Sequence, residues 1–302
     1  MLVKAGVDAN FVEVFDNSFI DAEIQKFQPS IVVIEALWVV PSKFVELQKL
    51  RPNVKFVVLL HSDTPFLADE PIAMSWIKQY AKVGVSLAVN SSKMLSDVQT
   101  ILSSEGVCPE VYYLPDYYPV KVVDIKARDR KEIVIGCYGS IRPLKNQLIQ
   151  AVAAIKFADM IGKKLSLHIN GLDVETEGMP ILQNLRDLFA GTPHTLVEDK
   201  WVSHADFLNS LKNIDLGMQV SLTETFCIVA ADLVSSSVPT VVSHEVVWAS
   251  GVAKTSPTDG GAIAQKLKEV WALRDFVIRE NHSGLEKFVQ NSKKIWLGFV
   301  SA

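Results

Sequence analysis

The sequence predicts an α/β protein with two domains, each built on a doubly wound parallel sheet. The chain has 302 residues, about twice the roughly 150 that one domain takes. Short apolar runs typical of strands alternate with segments of helical period along the whole chain. Several of these runs are continuously apolar, as strands covered by helices on both faces must be.

The composition excludes several classes of protein. Hydrophobic residues make up 49% of the chain, too many for a disordered protein, yet no apolar run reaches the roughly 20 residues of a membrane-spanning helix. The N-terminus lacks the apolar core of a secretory signal, so we expect a cytoplasmic protein with no membrane span. The net charge of −4 provides no general positive field for nucleic acid.

The three cysteines indicate neither a metal site nor a disulfide. Cys108, Cys137 and Cys227 are far apart and form no Cys-x-x-Cys pair, the spacing on which most zinc and redox sites depend. We therefore expect no bound metal and interpret all three as small core residues.

The first domain is expected over residues 1–120. Its predicted strands are 10–15, 29–37, 54–61, 86–90 and 111–114, and its predicted helices are 41–50, 71–83 and 91–104. A linker follows over 121–131, where five basic and two acidic residues come after a turn-forming Pro-Asp-Tyr-Tyr-Pro segment.

The second domain is expected over residues 132–280, with a C-terminal helix over 281–302 that crosses back to the first domain. Its predicted strands are 132–138, 165–170, 194–197, 215–220 and 240–242. The predicted helices are 145–161, 179–189, 204–213, 226–236, 262–273 and 285–299.

Ligands of doubly wound sheets bind beyond the carboxyl ends of the strands, so the loops there are the candidate site. The first strand of the second domain runs into Gly139, Arg142 and Lys145 before a helix begins. Glycine allows close backbone approach, and the two cations are suited to clamp a diphosphate beside helix amides. A turn with solvated basic residues is the alternative, because the segment matches neither the Walker loop nor the Rossmann glycine fingerprint.

Two acidic residues belong to the strand-turn-helix segment 220–236. Glu224 and Asp232 are eight positions apart, so a helix that starts near Thr225 places both on one face. A carboxylate on an otherwise apolar helix needs a partner if it is buried. Vicinal sugar hydroxyls would suit Asp232, and exposure to water is the alternative.

The segment 221–241 resembles the signature of the large retaining, metal-independent GT-B glycosyltransferase family (family 4-like), approximately Ser-x-x-Glu-Gly-Phe-Gly-x-x-x-x-Glu-Ala-x-Ala-x-Gly-x-Pro-Val-Val. The matching residues are Ser221, Glu224, Phe226, Pro239 and Val241. Asp232 stands where the family has its second Glu, and Thr225, Cys227 and Ser237 stand where it has glycine.

Other segments resemble the same family in the same order along the chain. They comprise His61-Ser62-Asp63, the segment 139–145, the strand and glycine loop that end at Gly171, and the loop of Trp201, Val202 and Ser203. The resemblance implies two facing Rossmann-like domains of the GT-B fold. It departs from the family at the front end, where Gly6 reads as the C-cap of a helix whose own βα unit is missing. We therefore expect a shortened first domain, which a partner chain or a homo-oligomer would complete.

The resemblance also implies roles for the candidate residues. The donor is a nucleoside-diphosphate sugar of the UDP or GDP type, and no other cofactor is expected. Its phosphates are assigned to Gly139, Arg142, Lys145, Thr225 and Phe226, and its ribose and base to Asp232, Gly171, Trp201 and Val202. His61 and Glu224 are assigned to the transferred sugar, with retention of configuration and without metal.

Two other functions stay open at this point. The shortened front end favours a catalytically weak accessory subunit that binds a nucleotide sugar, and a nucleotide-sugar epimerase would share the architecture. The acceptor is unknown: a glycan, a small molecule or a modified DNA base. The last is suggested because the segments 37–41 and 61–66 resemble phage-encoded glycosyltransferases that modify DNA bases.

Overall fold

The protein is described here by a computed structural model, which describes residues 1–103, 106, 110–120, 131–172, 174 and 176–301. The chain divides into two compact units. Unit 1 comprises Met1–Tyr117 together with Gln290–Ala302, and unit 2 comprises Tyr118–Val289. Cys108 and most of the predicted linker, residues 121–130, lie outside the described residues.

Unit 1 is built on a four-stranded parallel sheet in the order β1-β2-β3-β4. Its strands are β1 (Ile31–Glu35), β2 (Lys55–Leu60), β3 (Ser86–Val89) and β4 (Val111–Tyr113). The helices are α1 (Ile20–Phe27), α2 (Pro41–Leu50), α3 (Thr64–Leu67), α4 (Ala73–Lys82) and α5 (Ser92–Ser103). Because β2 and β3 lie inside the sheet, their residues are almost all buried.

The predicted strand at 10–15 is wrong. Within the described residues, this segment forms no strand and lies along the unit 1 surface with Phe11 and Phe15 exposed. The alternation Phe-Val-Glu-Val-Phe is typical of a strand, but a strand also needs a ladder partner, and β1 pairs only with β2. The preceding turn is as expected, because Gly6 caps the 3₁₀ helix Val3–Ala5 in the left-handed conformation (φ 84°).

Unit 2 is built on a six-stranded parallel sheet in the order β10-β9-β8-β5-β6-β7. Its strands are β5 (Glu132–Gly136), β6 (Lys164–Ile169), β7 (Thr195–Glu198), β8 (Leu216–Gln219), β9 (Thr240–Ser243) and β10 (Lys254–Thr255). The chain moves outward from β5 through β6 to β7 and then returns to β8 on the other side of β5. The direction of winding therefore reverses between β5 and β8, which is the point at which doubly wound sheets bind ligands.

Helices pack against this sheet, and apolar side chains of the strands and the helices together form the core of unit 2. They are α6 (Gln147–Met160), α7 (Met179–Phe189), α8 (His204–Ser210), α9 (Ile228–Ser235), α10 (Gly260–Ala272) and the first part of α11 (Arg274–Ser301). Cys137 and Cys227 are buried free thiols, as expected for small core residues. Among the described helices, none combines the length and the apolar character needed to cross a membrane.

The long helix α11 contributes to both units. Val277, Leu285 and Val289 belong to the core of unit 2. Beyond Gln290, Trp296 and Phe299 pack against the unit 1 sheet, and the Trp296 indole Nε1 donates to the Pro115 carbonyl oxygen at 2.8 Å. The C-terminal helix is therefore one continuous element from residue 274, longer than the predicted 281–302.

Candidate functional site

Two loops of unit 2 meet where the winding of the sheet reverses. The first follows β5 and contains Gly139, Arg142 and Lys145; the second follows β8 and contains Glu224. Gly139 has a positive φ of 108°, a conformation that favours glycine. Its N–H donates to Asn170 Oδ1 at 2.8 Å, so the end of β6 fixes the start of the first loop.

Buried side-chain amides join these two loops. Gln150 accepts from the Val220 N–H at 2.7 Å and donates to the Lys145 carbonyl oxygen at 2.8 Å. Asn146, with φ 62°, donates to the carbonyl oxygens of Val220 and Pro257 at 3.0 and 2.7 Å. Because these bonds satisfy buried backbone groups, they hold both loops in one arrangement.

The charged centre of the site is an ion pair between Lys145 and Glu224. Lys145 Nζ lies 2.7 Å from Glu224 Oε1, and the Glu224 side chain is 6% exposed. Burial lowers the pKa of Lys145, but the charge of Glu224 and the hydrogen bond to it outweigh this effect, so the pKa is raised overall. The positive charge of Arg142 acts on Lys145 in the lowering direction, so the two predicted phosphate ligands lie near each other.

The turn before α9 differs from the prediction. The helix begins at Ile228, not near Thr225, so Glu224 lies in the turn and does not share a helix face with Asp232. Phe226 is buried against Trp248 and Phe288. Its side chain is therefore a core group, and only its backbone is suited to a phosphate.

Two positions where the resembled family has glycine keep a glycine-like backbone here. Cys227 has φ 65° and Ser237 has φ 54°, in the left-handed region that glycine adopts most easily. Cys227 caps the N-terminus of α9 and is buried. Burial raises the pKa of its thiol well above the ordinary value, which favours the neutral thiol over the thiolate.

Asp232 is buried in α9 and has two protein partners. Its Oδ1 accepts from the Tyr118 hydroxyl at 2.7 Å and lies 2.8 Å from His204 Nε2. The alternative that Asp232 points to water is therefore wrong. Burial and the neighbouring Asp232 raise the pKa of Tyr118, which keeps its hydroxyl a donor. His204 is 59% exposed and marks the solvent side of this group.

The residues predicted for the nucleotide base lie around the ends of β6 and β7. Gly171 is buried, and a Cβ there would come within 2.6 Å of Glu198 Cγ, so any side chain at this position would force Glu198 to move. Trp201 and Val202 are about half exposed in the loop before α8. Ser203 caps that helix by accepting from the Asp206 N–H at 3.2 Å.

His61 lies in unit 1 within a second polar cluster. Its Nε2 is hydrogen-bonded to Glu35 Oε2, and its Nδ1 faces Asn90 and Asp116. Burial lowers the pKa of His61, but the Glu35 hydrogen bond and the charges of Glu35 and Asp116 together raise it above the ordinary value. The sequence predicted His61 but not its three partners.

Sequence reasoning also missed residues of unit 2. The Tyr118 and His204 partners of Asp232 and the amides of Asn146, Gln150 and Asn170 carry no spacing signal, because each meets its partner only through the fold. Within the described residues, no group of His, Cys, Asp or Glu is arranged to hold a metal ion.

No protein-family model matches the sequence, and no curated protein matches it. Solved structures do. An apo structure of OtsA aligns with a TM-score of 0.72 at 14% identity, over 95% of this chain and 76% of that chain. A UDP-forming α,α-trehalose-phosphate synthase from Burkholderia xenovorans, in complex with glucose-6-phosphate, aligns with a TM-score of 0.69 at 12% identity, over 95% and 77%.

A third solved structure that aligns with the chain is that of trehalose-6-phosphate from E. coli bound with UDP-2-fluoro glucose. Its TM-score is 0.64 at 12% identity, over 92% of this chain and 73% of that chain. The chain has the fold of these proteins. The predicted class, two Rossmann-like domains of the GT-B type, is therefore confirmed.

Proposed function

We propose that the protein is a glycosyltransferase that takes its sugar from a nucleoside-diphosphate sugar, with UDP as the favoured nucleotide. The observation that carries the proposal is the Lys145–Glu224 pair at the point where the sheet of unit 2 reverses its winding. The fold match to a UDP-forming synthase and to a protein bound to a UDP sugar supports it.

The proposal assigns a role to each of the predicted site residues. Lys145 and Arg142 neutralise the charge that develops on the leaving diphosphate, which is the role a metal ion takes in other glycosyltransferases. Gly139 allows close approach of the phosphates, and the backbone of Thr225 and Phe226 borders them at the turn before α9. Glu224 accepts from sugar hydroxyls, and Asp232 with His204 faces the ribose. Gly171, Trp201 and Val202 border the base.

The acceptor belongs to unit 1 in the same proposal, because His61 and Glu35 form a polar cluster at the carboxyl end of its sheet. Retention of configuration and independence from metal follow from the resemblance to the retaining GT-B family. The same resemblance assigns the donor to unit 2 and the acceptor to unit 1.

Nucleotide binding tests the donor site directly. We expect one nucleoside diphosphate among UDP, GDP, ADP, CDP and dTDP to raise the melting temperature in the presence of EDTA. A ligand at a hundred times its dissociation constant stabilises the folded state by about 2.7 kcal/mol. Lys145→Ala should abolish this shift, whereas Lys268→Ala, which changes an exposed lysine of α10, should preserve it.

Turnover tests the role of the clamp. Losing one charged contact to the leaving group costs on the order of a hundredfold in rate, so Lys145→Ala should hydrolyse or transfer the identified donor about a hundredfold more slowly. Turnover within threefold of the unmodified protein would contradict the clamp. Binding of a nucleotide without any turnover would favour the accessory-subunit function instead.

A further inference from the structure

Each strand of unit 1 places one polar residue at the carboxyl end of the sheet. Glu35 ends β1, His61 follows β2, Asn90 follows β3 and Asp116 comes three residues after β4. Because the four strands are parallel, these residues meet along one edge. We call them the strand-end cluster.

The cluster holds the His61 ring from both sides. On one side Nε2 is hydrogen-bonded to Glu35 Oε2. On the other side Nδ1 lies 3.4 Å from Asn90 Nδ2 and 3.9 Å from Asp116 Oδ1. Asn90 Nδ2 also donates to Asp116 Oδ2 at 2.7 Å, so the carboxylate fixes the amide that faces the ring.

Exposure falls from one end of the cluster to the other. The side chains of Glu35 and His61 are 52% and 37% exposed, that of Asp116 is 21% exposed, and Asn90 is buried. Asn90 and Asp116 are therefore the inner residues of the cluster, held by the fold, whereas Glu35 and His61 are accessible to a ligand.

This arrangement selects one tautomer of His61. Glu35 is a hydrogen-bond acceptor when ionised, so Nε2 carries the proton. When the ring is neutral, Nδ1 accepts from the Asn90 amide; when it is protonated, Nδ1–H faces the Asp116 carboxylate. The Nε2–H group therefore points outward in both charge states.

We propose that Asp116, acting with Asn90, is the positioning residue of His61: it holds the ring so that Nε2–H points to Glu35 or to a sugar hydroxyl. The choice of a sugar as ligand rests on the proposed function, whereas the positioning of the ring does not. The titratable groups that face His61 include Glu35, from β1, and Asp116, after β4.

Opposing effects act on the pKa of Asp116 itself. Burial raises the pKa of its carboxyl, and the charge of His61 and the Asn90 hydrogen bond oppose this, with the pKa remaining raised overall. A change at Asp116 therefore alters both the charge and the hydrogen bonding on the inner side of the ring.

Nitrogen-15 NMR of the histidine rings tests the positioning without any activity assay. In the unmodified protein, we expect the neutral His61 ring to carry its proton on Nε2. Asp116→Asn should lower the pKa of His61 and populate the Nδ1–H tautomer. Asp116→Glu should restore the pKa towards that of the unmodified protein, because it keeps the charge. Asn90→Ser provides the same tautomer test if Asp116→Asn does not fold.

A matched control uses a histidine–carboxylate pair in unit 2. His168 Nδ1 lies 2.8 Å from Asp199 Oδ2, so Asp199→Asn should change the His168 signals and leave those of His61 in place. An unchanged His61 pKa and tautomer in folded Asp116→Asn would overturn the proposal.

A kinetic measurement separates this proposal from the donor-site proposal. With UDP-glucose as the probe, Asp116→Asn should lower kcat for hydrolysis about tenfold, because Nε2–H is then no longer held towards the sugar, a loss comparable to one hydrogen bond. The dissociation constant for UDP should stay within twofold, because UDP is assigned to unit 2. If the unmodified protein binds no nucleotide, the donor site fails, and the His61 spectrum alone decides the positioning. If UDP binds and the His61 spectrum is unchanged by Asp116→Asn, only the positioning fails.

Discussion

At the scale of single residues, the Lys145 ammonium is already engaged by a carboxylate. Its 2.7 Å contact with the nearly buried Glu224 means that a diphosphate binding there must replace one anion by another. The site thus keeps a buried charge paired, which avoids the cost of an isolated ion in the interior. The same pairing makes Glu224 a competitor of the phosphates as well as a candidate ligand of the sugar.

This competition predicts opposite effects of Glu224→Gln on binding and on turnover. Removing the carboxylate charge frees Lys145, so UDP should bind about tenfold more tightly, a change of about 1.4 kcal/mol. Transfer or hydrolysis of the sugar should fall, because the amide is a weaker acceptor for sugar hydroxyls. Isothermal titration with UDP and a donor-hydrolysis assay measure the two effects.

The control for this prediction is Glu269→Gln. Glu269 pairs with Lys266 on α10, away from the two loops of the candidate site, and its loss should change neither quantity. UDP binding to Glu224→Gln that is equal to or weaker than binding to the unmodified protein would show that Glu224 does not compete for Lys145.

At the scale of elements, the inner parallel strands could be predicted from the sequence within a few residues. The runs that became β2 and β5 are apolar after their first residue because both faces of each strand are covered. The segment 10–15 shows the limit of this approach, since alternation describes one strand and says nothing of its neighbour. The start of α9 was placed too early for a similar reason, because the left-handed conformation of Cys227 breaks the helix where no glycine marks the break.

Some residues of the candidate site could likewise be predicted from the sequence, and others could not. Gly139 and Lys145 were candidates because they lie in a strand-to-helix turn, and Glu224 and Asp232 received their roles from the resemblance to the GT-B signature. The amides that hold the loops were not predicted. Gln150 touches Val220, 70 positions along the chain, and only the packed sheet brings the two together.

Two glycines of α11 provide a matched pair for testing packing within one helix. A Cβ on Gly284 would lie only 2.2 Å from the Trp248 carbonyl oxygen, whereas a Cβ on Gly298 would have no neighbouring atom within 4 Å. Alanine favours an exposed helix position over glycine by roughly 0.5–1 kcal/mol. We therefore expect Gly298→Ala to stabilise by about that amount, and Gly284→Ala to destabilise by about 1–3 kcal/mol through overpacking.

Urea unfolding measures both changes, and each variant serves as the control for the other. A stabilising Gly284→Ala would show that the helix and the Trp248 backbone separate at little cost. Equal effects of both substitutions would mean that helix propensity alone decides the outcome.

At the scale of the whole molecule, the second unit interrupts the first in sequence. Unit 1 consists of two segments, Met1–Tyr117 and Gln290–Ala302, and the second segment completes its core. Ile295, Trp296 and Phe299 cover a face of the sheet formed by Val57, Leu59, Ala88 and Leu114. The stability of unit 1 therefore depends on residues that follow its sheet by 181 positions or more, the separation of Ile295 from Leu114.

Trp296→Ala should destabilise unit 1 selectively. Truncating a partly buried Trp removes its apolar contacts and its bond to Pro115, at a cost of about 2–3 kcal/mol. Hydrogen exchange read by mass spectrometry should show faster exchange in β2 and β4. Trp271→Ala, which removes a contact of the unit 2 core, should instead affect unit 2. Equal loss of protection in β8 after Trp296→Ala would contradict this division.

Because unit 1 consists of two segments, the ribosome synthesises all of unit 2 between them. Domains fold as units during synthesis, generally with the N-terminal one first. Here the residues that cover Val57 and Leu59 leave the exit tunnel only after all of Tyr118–Val289 has been made. Unit 1 consequently completes its core after unit 2 has been made, and its apolar sheet face stays uncovered until residues 295–299 emerge.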